Sequence, residues 1–335
     1  MAVVSDTKTP NLRCLKAAFL AMEPSNCLIS LARRTSGGSL TEEVQNFILE
    51  LCVNSSDISC NLSYMMNILK KVIVEAESTC EVVVEGLYEQ FAKIALLQVY
   101  VLRREENRIL KKISFFLPSG IDDRSSQRNL VVSLYCSLNL LEDVLSGLHV
   151  FFCRSLYFLT QSCSRIRFAL RFGWCCSCTC WSLQSWMQVI LTDGDGSTLE
   201  NMKCNLELNH LRSGKVQSRY LPWEFAAESE LLKYEHDCVL GADIIYDPKC
   251  VPHLIEVLRM LLKSKRTFIL PEEKEASVAY LATVIRNKET FNYFLRAAEE
   301  AHLSVMDITQ DWQPLNLLPY MLSYDRTSVC LYRIS

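Results

Sequence analysis

The chain has 335 residues, 50% hydrophobic and 22% charged, a balance that excludes an intrinsically disordered protein. Its formal net charge of −3 excludes a global basic field for recruiting nucleic acid. The length suits one large domain or two modest ones. Met1 to Arg13 is polar and carries no apolar segment of the secretory kind. Ten of the 16 cysteines are scattered singly, as buried thiols are in a reducing compartment, so a cytoplasmic protein is expected.

Residues 11–110 read as helices. Ser39-Leu40-Thr41-Glu42 has the capping-box pattern, ahead of Val44, Phe47, Ile48 and Leu51 on one helical face. Met65, Met66, Leu69, Val72 and Ile73 repeat that face, as do Val84, Leu87, Phe91 and Ile94. No chemical motif lies here, and a helical N-terminal domain over residues 1–112 is expected. The remainder, 113–335, forms the second domain. Ser114 to Gly120 reads as a strand meeting a turn, and Asn129 to Leu141 as a strand followed by a loop.

The character changes over residues 143–188. From Val144 to Thr192 there is no Asp, Glu or Lys, and the only full charges are Arg154, Arg165, Arg167 and Arg171. Three tryptophans, Trp174, Trp181 and Trp186, crowd together, and six cysteines lie between Cys153 and Cys180. A membrane-spanning helix needs about 20 apolar residues, and Arg154, Gln161 and the serines interrupt every such window. Cys175 and Cys178 have a zinc-ligand spacing, but no separate second pair or nearby histidine completes a site, so no metal is expected. A third reading is a segment translated out of frame. Read one nucleotide later, the codons around Trp174-Cys175 and Trp181-Ser182 force glycine. The codons of Ser164 to Cys176 then permit an acidic-x-Gly-x-x-x-Gly loop.

Ordinary character returns with Val189-Ile190-Leu191-Thr192, a buried strand of parallel type with Asp193 at its carboxyl end. Ser197-Thr198-Leu199-Glu200 reads as another capping box, starting a helix through Leu206. Gln217 to Trp223 is a short strand ending in Leu-Pro-Trp. Asp237 to Ala242 is a strand with Asp243 at its end. Val251, Leu254, Ile255, Leu258 and Leu262 share a helix face, Val278 to Ile285 is a strand, and Phe291, Phe294, Leu295 and Ala298 mark a helix. Leu303 to Ile308 and Thr327 to Ile334 form a terminal hairpin-like pair around Leu317-Leu318-Pro319-Tyr320. Alternating strands and helices imply an α/β fold with a mostly parallel sheet covered on both faces.

Four side chains could carry chemistry. Asp193 can accept both hydroxyls of a ribose, or it can cap the following helix, a task Asp195 could take instead. Trp223 can edge an adenine or fill the core. Asp243 and Tyr246 make Asp-x-x-Tyr at a strand end, where the acid can orient an amine and the tyrosine can wall its channel. Asp247-Pro248 then ends the strand.

Val189 to Asp195, Leu221-Pro222-Trp223 and Gly241 to Tyr246 resemble the seven-β-strand, S-adenosylmethionine-dependent protein-lysine methyltransferases with the Asp-x-x-Tyr motif. The N-terminal helices, Phe116-Leu117-Pro118-Ser119-Gly120 and Leu318-Pro319-Tyr320 narrow the similarity to the branch that methylates elongation factor 2. The resemblance covers residues 11–142 and 189–335. It implies a Rossmann-like seven-stranded methyltransferase sheet preceded by the helical domain, S-adenosylmethionine as cofactor, and methyl transfer to a lysine of a protein substrate by a monomer. By position, Asp193, Trp223 and Ala242 fall on the cofactor side, and Asp243 and Tyr246 at the methyl-transfer channel. The family's acidic-x-Gly-x-Gly loop has no counterpart, since only Gly147 and Gly173 lie between Glu142 and Asp193. The departure leaves the first strand of the sheet unassigned. It also raises a catalytically inactive form, acting only as a protein-binding module, as the alternative.

Overall fold

The computed structural model of the chain describes residues 11–54, 62–79, 81–101, 108–116, 129–137, 168–170, 189–211, 216–231, 236, 238–263, 277–311 and 329–335. Its contacts divide the chain into two units, residues 1–138 with 316–324, and residues 139–315 with 325–335.

In the first unit, α1 (Leu12–Leu20), α2 (Ser25–Thr35), α3 (Glu42–Val53), α4 (Leu62–Ser78) and α5 (Glu85–Val101) are followed by an antiparallel ribbon of β1 (Arg108–Phe116) and β2 (Asn129–Ser137). The boundary read at residue 112 falls inside β1, because pairing with β2 places the whole ribbon in this unit. The helical periodicity is the cause of the packing. Val44 and Ile48, Met65, Leu69, Val72 and Ile73, and Leu87 and Ile94 are buried, as their spacing demands. The Ser39–Glu42 box does not form. Thr41 is the N-cap of α3 and makes no side-chain capping bond. Order at this helix start comes instead from Gln45, fully buried. Its Nε2 donates to the carbonyls of Leu40 (2.8 Å) and Val82 (3.0 Å), and its Oε1 accepts from the Val84 amide (3.0 Å). Every hydrogen-bonding group of the amide is used, which is the condition for burying it.

The second unit is built on one sheet. Its strands are β3 (Phe168–Leu170), β4 (Val189–Asp193), β5 (Val216–Tyr220), β6 (Cys238–Ala242), β7 (Val278–Val284), β8 (Val305–Asp307) and β9 (Val329–Ile334), in the spatial order β5-β4-β3-β6-β7-β9-β8. The first five are parallel, and β9 runs antiparallel to both β7 and β8. Between them lie α6 (Gly196–Leu208), a 3-10 turn (Trp223–Phe225), α7 (Glu228–Leu231), α8 (Val251–Lys263) and α9 (Lys288–Glu300).

Every residue of β4 and β6 is buried, the reason these strands read as unbroken apolar runs. Alternation along the strands feeds two cores. Val189, Leu191, Leu240 and Leu331 join Leu199, Met202 and Leu206 of α6 in one cluster. Ile190, Val239, Leu281 and Tyr332 join Leu254 and Leu258 of α8 and Phe291 and Phe294 of α9 in the other. At Gly241 a Cβ would lie 2.5 Å from both Ile244 Cδ1 and Leu281 Cδ2, so the absent side chain lets those two close over the strand.

Three sequence expectations are corrected. The unassigned first strand exists. Phe168–Leu170 pairs with β4 on one side and β6 on the other, since backbone ladder bonds need no particular side chain. The Ser197–Glu200 box is displaced by Asp195, whose carboxylate caps α6. The strand ending in Leu-Pro-Trp stops at Tyr220, and Trp223 opens a separate turn behind Pro222. Otherwise, residues 143–167 and 171–188, including Cys175 to Cys180 and the three crowded tryptophans, lie outside the described residues, as do Leu117 to Gly120 and Leu317 to Tyr320. Among the described residues no helix is long and apolar enough to cross a membrane.

Candidate functional site

The chain runs from β3 outward through β4 to β5, then crosses back to β6 on the other side of β3. This reversal is a topological switch point at the carboxyl ends of β3, β4 and β6, the place where open parallel sheets take ligands. Leu170, the last residue of β3, is in register with Thr192 and with Gly241. Asp193 and Asp243 therefore emerge one and two residues further along, on the strands flanking β3. Two strand spacings of roughly 5 Å set their backbones about 10 Å apart.

Asp193 is buried. Its Oδ1 accepts the Asp195 amide at 2.8 Å, and its carbonyl accepts the Leu221 amide at 2.9 Å, which ties the end of β4 to the chain leaving β5. Gly194 follows because a Cβ there would stand 3.2 Å from the Pro222 Cα. Asp195 then caps α6. Its Oδ1 accepts the Ser197 hydroxyl (2.6 Å) and the Thr198 amide (2.7 Å). The division of labour is clear. Asp195 serves the helix, and Asp193 stays at the strand end.

The Ser197 hydroxyl and then the Thr198 amide hold the Asp195 carboxyl well below its ordinary value, at about 2. A carboxyl lowered by folding stabilises above its unfolded value of about 4 and loses that contribution as pH falls through the folded value. Replacing Asp195 with alanine is expected to cost about 1 kcal/mol at neutral pH, read from the urea midpoint. The difference from the natural chain should shrink between about pH 4 and pH 2.

Asp243 sits in the left-handed region at φ 52°, a conformation aspartate tolerates better than most residues. Its amide donates to the Ala282 carbonyl at 2.7 Å, which fixes the turn off β6 against β7. The side chain is 2% exposed. Oδ2 meets Arg286 Nη1 at 2.7 Å, while Oδ1 is buried and has no hydrogen-bond partner among the described residues. A buried acceptor left open carries a desolvation cost that an N–H or O–H donor would relieve.

Tyr246 is half exposed beyond Ile244 and Ile245, which are buried. Ala242 is buried in β6 opposite Ala282. Trp223 is buried in the same apolar cluster as Ile190, Leu221 and Ile244. The structure thus brings Asp193, Ala242 and Asp243 to one edge of the sheet, with Tyr246 on the loop leading away. Arg286 was missed in the sequence. The signal available was a lone cation two residues past the end of an apolar strand, Val278 to Val284, whose parallel neighbour ends in an acid.

The donor set suits a cofactor that carries a ribose and a sulfonium. A buried carboxylate, Asp193, stands at the end of β4 next to β3, and a second, Asp243, with an open oxygen, stands just past the end of β6 on the other side of β3. Among the described residues no group of three metal-ligating side chains occurs.

Residues 172–296 match a family described as lysine methyltransferase. The match spans β4 through most of α9 and includes Asp193, Trp223, Asp243, Tyr246 and Arg286. An uncharacterized protein of Dictyostelium discoideum is 32% identical over 173 residues, 44% of this chain and 45% of that protein. The protein-lysine N-methyltransferase EEF2KMT of Mus musculus is 24% identical over 259 residues, 72% of this chain and 70% of that one. The first of these alignments thus spans less than half of its relative's length. Among solved structures, magnesium protoporphyrin IX methyltransferase from Synechocystis with bound SAM aligns over 59% of this chain and 85% of its own at 7% identity and a TM-score of 0.38. The matched segment is homologous to lysine methyltransferases at modest identity.

Proposed function

We propose that the chain is an S-adenosylmethionine-dependent protein-lysine N-methyltransferase that acts in the cytoplasm on elongation factor 2. One observation carries the reading. Within the segment that matches lysine methyltransferases, Asp243 presents a buried, open carboxylate oxygen at the carboxyl end of β6.

S-adenosylmethionine supplies an electrophilic methyl group on a sulfonium. Asp193 accepts ribose hydroxyls with its carboxylate. Ala242 contributes a small side chain beside the cofactor, and Trp223 closes the adenine side from the apolar cluster. Asp243 Oδ1 accepts one N–H of the neutral lysine amine, and this turns the nitrogen lone pair toward the methyl group. Tyr246 walls the channel along which the lysine stem passes. Bound there, S-adenosylmethionine would supply the methyl group, the S–C bond being exchanged for an N–C bond, and the surplus amine proton would leave to solvent. The chain's contribution is placement and exclusion of water rather than covalent chemistry. The unit that performs it comprises residues 139–315 and 325–335.

The test is direct. The full chain is incubated with S-adenosylmethionine and purified elongation factor 2, mouse EEF2KMT serving as the positive control. Peptide mass spectrometry is expected to find methyl increments on a lysine, and calorimetry to find S-adenosylhomocysteine binding. A chain that binds no S-adenosylhomocysteine and leaves elongation factor 2 unmodified overturns the reading. Binding of elongation factor 2 without binding of S-adenosylhomocysteine would establish the binding-module alternative.

A further inference from the structure

The pair between Asp243 and Arg286 asks for an explanation of its geometry. Arginine can grip a carboxylate through two parallel N–H bonds, which satisfies both oxygens at once. Here a single nitrogen, Nη1, reaches a single oxygen, Oδ2, and Oδ1 stays buried and open among the described residues. A purely structural clamp would have no reason to leave that acceptor unsatisfied.

The backbone contributes equally. Asp243 is held at φ 52° with its amide on the Ala282 carbonyl, so rotation of the side chain is the main freedom left to the carboxylate. Arg286 comes off the end of β7, the strand next to β6, with its amide donating to the Val284 carbonyl at 2.9 Å, just before Asn287 caps α9. Both ends of the pair are anchored on adjacent strands. The guanidinium is 39% exposed, and the carboxylate it meets is almost wholly buried.

We propose that Arg286 is the positioning residue for methyl transfer: by occupying Oδ2 it fixes the rotation of the Asp243 carboxylate and turns Oδ1 toward the substrate amine. This role rests on the function proposed above. Arg286 itself touches neither substrate nor cofactor and acts through Asp243.

The experiment uses the full chain, elongation factor 2 and four variants, Arg286→Ala, Arg286→Lys, Asp243→Asn and the Asp243→Asn/Arg286→Ala double. Arg286→Ala should lower kcat by roughly tenfold or more, as misplacement of a reacting group does, with KM moved less than about threefold. Arg286→Lys, which restores the charge without the fork, should recover part of that loss. The double variant should be no worse than Asp243→Asn alone, within about twofold, because the arginine has nothing to position once the carboxylate is gone. Calorimetry should find S-adenosylhomocysteine affinity unchanged in all variants and elongation factor 2 affinity in Arg286→Ala within about threefold of the natural chain. Losses that multiply in the double variant, or an Arg286→Lys chain no better than Arg286→Ala, overturn the positioning role alone. A natural chain that neither binds S-adenosylhomocysteine nor methylates overturns the function and this role with it.

Discussion

Asp243→Asn is expected to lower kcat/KM for lysine methylation by about ten- to a hundredfold while the fold survives. The magnitude follows from the loss of a hydrogen bond to a charged acceptor, about 1.5–3 kcal/mol, at 1.4 kcal/mol per tenfold. Asparagine suits the test because it keeps the size of the side chain and tolerates the left-handed backbone found at φ 52°. The change therefore removes charge without adding backbone strain. Alanine or valine here would confound the two, since both tolerate positive φ less well than asparagine, the β-branched valine least of all. The Arg286 guanidinium should stay solvated, being partly exposed already. Steady-state kinetics with elongation factor 2, beside a melting curve, is the measurement. An Asp243→Asn chain with normal kinetics would remove the acid from the reaction.

Phe294→Ala carries the largest expected effect on stability. Phe294 is fully buried in α9, its ring stacked near Phe291 at 6.1 Å between centroids, in the cluster that also holds Leu281, Tyr332 and the inner face of α8. Truncating a phenylalanine in such a core costs about 3–5 kcal/mol, the lost transfer energy plus the cavity. Whole domains are stable by only about 5–15 kcal/mol, so the seven-stranded unit should lose a large part of its margin. Urea unfolding followed by tryptophan fluorescence should show the midpoint falling steeply with the slope unchanged. Phe294→Leu should cost markedly less, since more of the volume remains. Equal losses for the two would mean that the site collapses around any deletion.

Much of this architecture can be read from residues 189–307 because the signals there are physical. Val189–Thr192 and Cys238–Ala242 are apolar on both sides, and the structure buries both sides. Val251, Leu254, Ile255 and Leu258 recur at helical spacing and are buried on α8. Capping was harder. Both four-residue boxes match the pattern, yet at α6 the Asp195 carboxylate accepts from two donors at once and takes the cap from Ser197. Competition among neighbouring acceptors is decided by geometry that a pattern does not contain. The β1–β2 ribbon shows the same limit. Its second strand is legible, but its first begins at Arg108, six residues before the strand read at Ser114, and membership of the first unit depends on pairing between residues about 20 positions apart.

The sequence by itself determined the α/β class, the two strand-end acids and the Asp-x-x-Tyr spacing, since periodicity and strand-terminal acids are local properties of the chain. It also displayed the anomaly of residues 143–188. Only the tertiary structure decided that Phe168–Leu170 fills the slot between β4 and β6, because strand pairing is a contest among all available edges. It alone joined Arg286 to Asp243 across 43 positions and left one carboxylate oxygen open. Parallel neighbours are contributed by distant segments, and the crossover helix between them erases their relation from the order of residues.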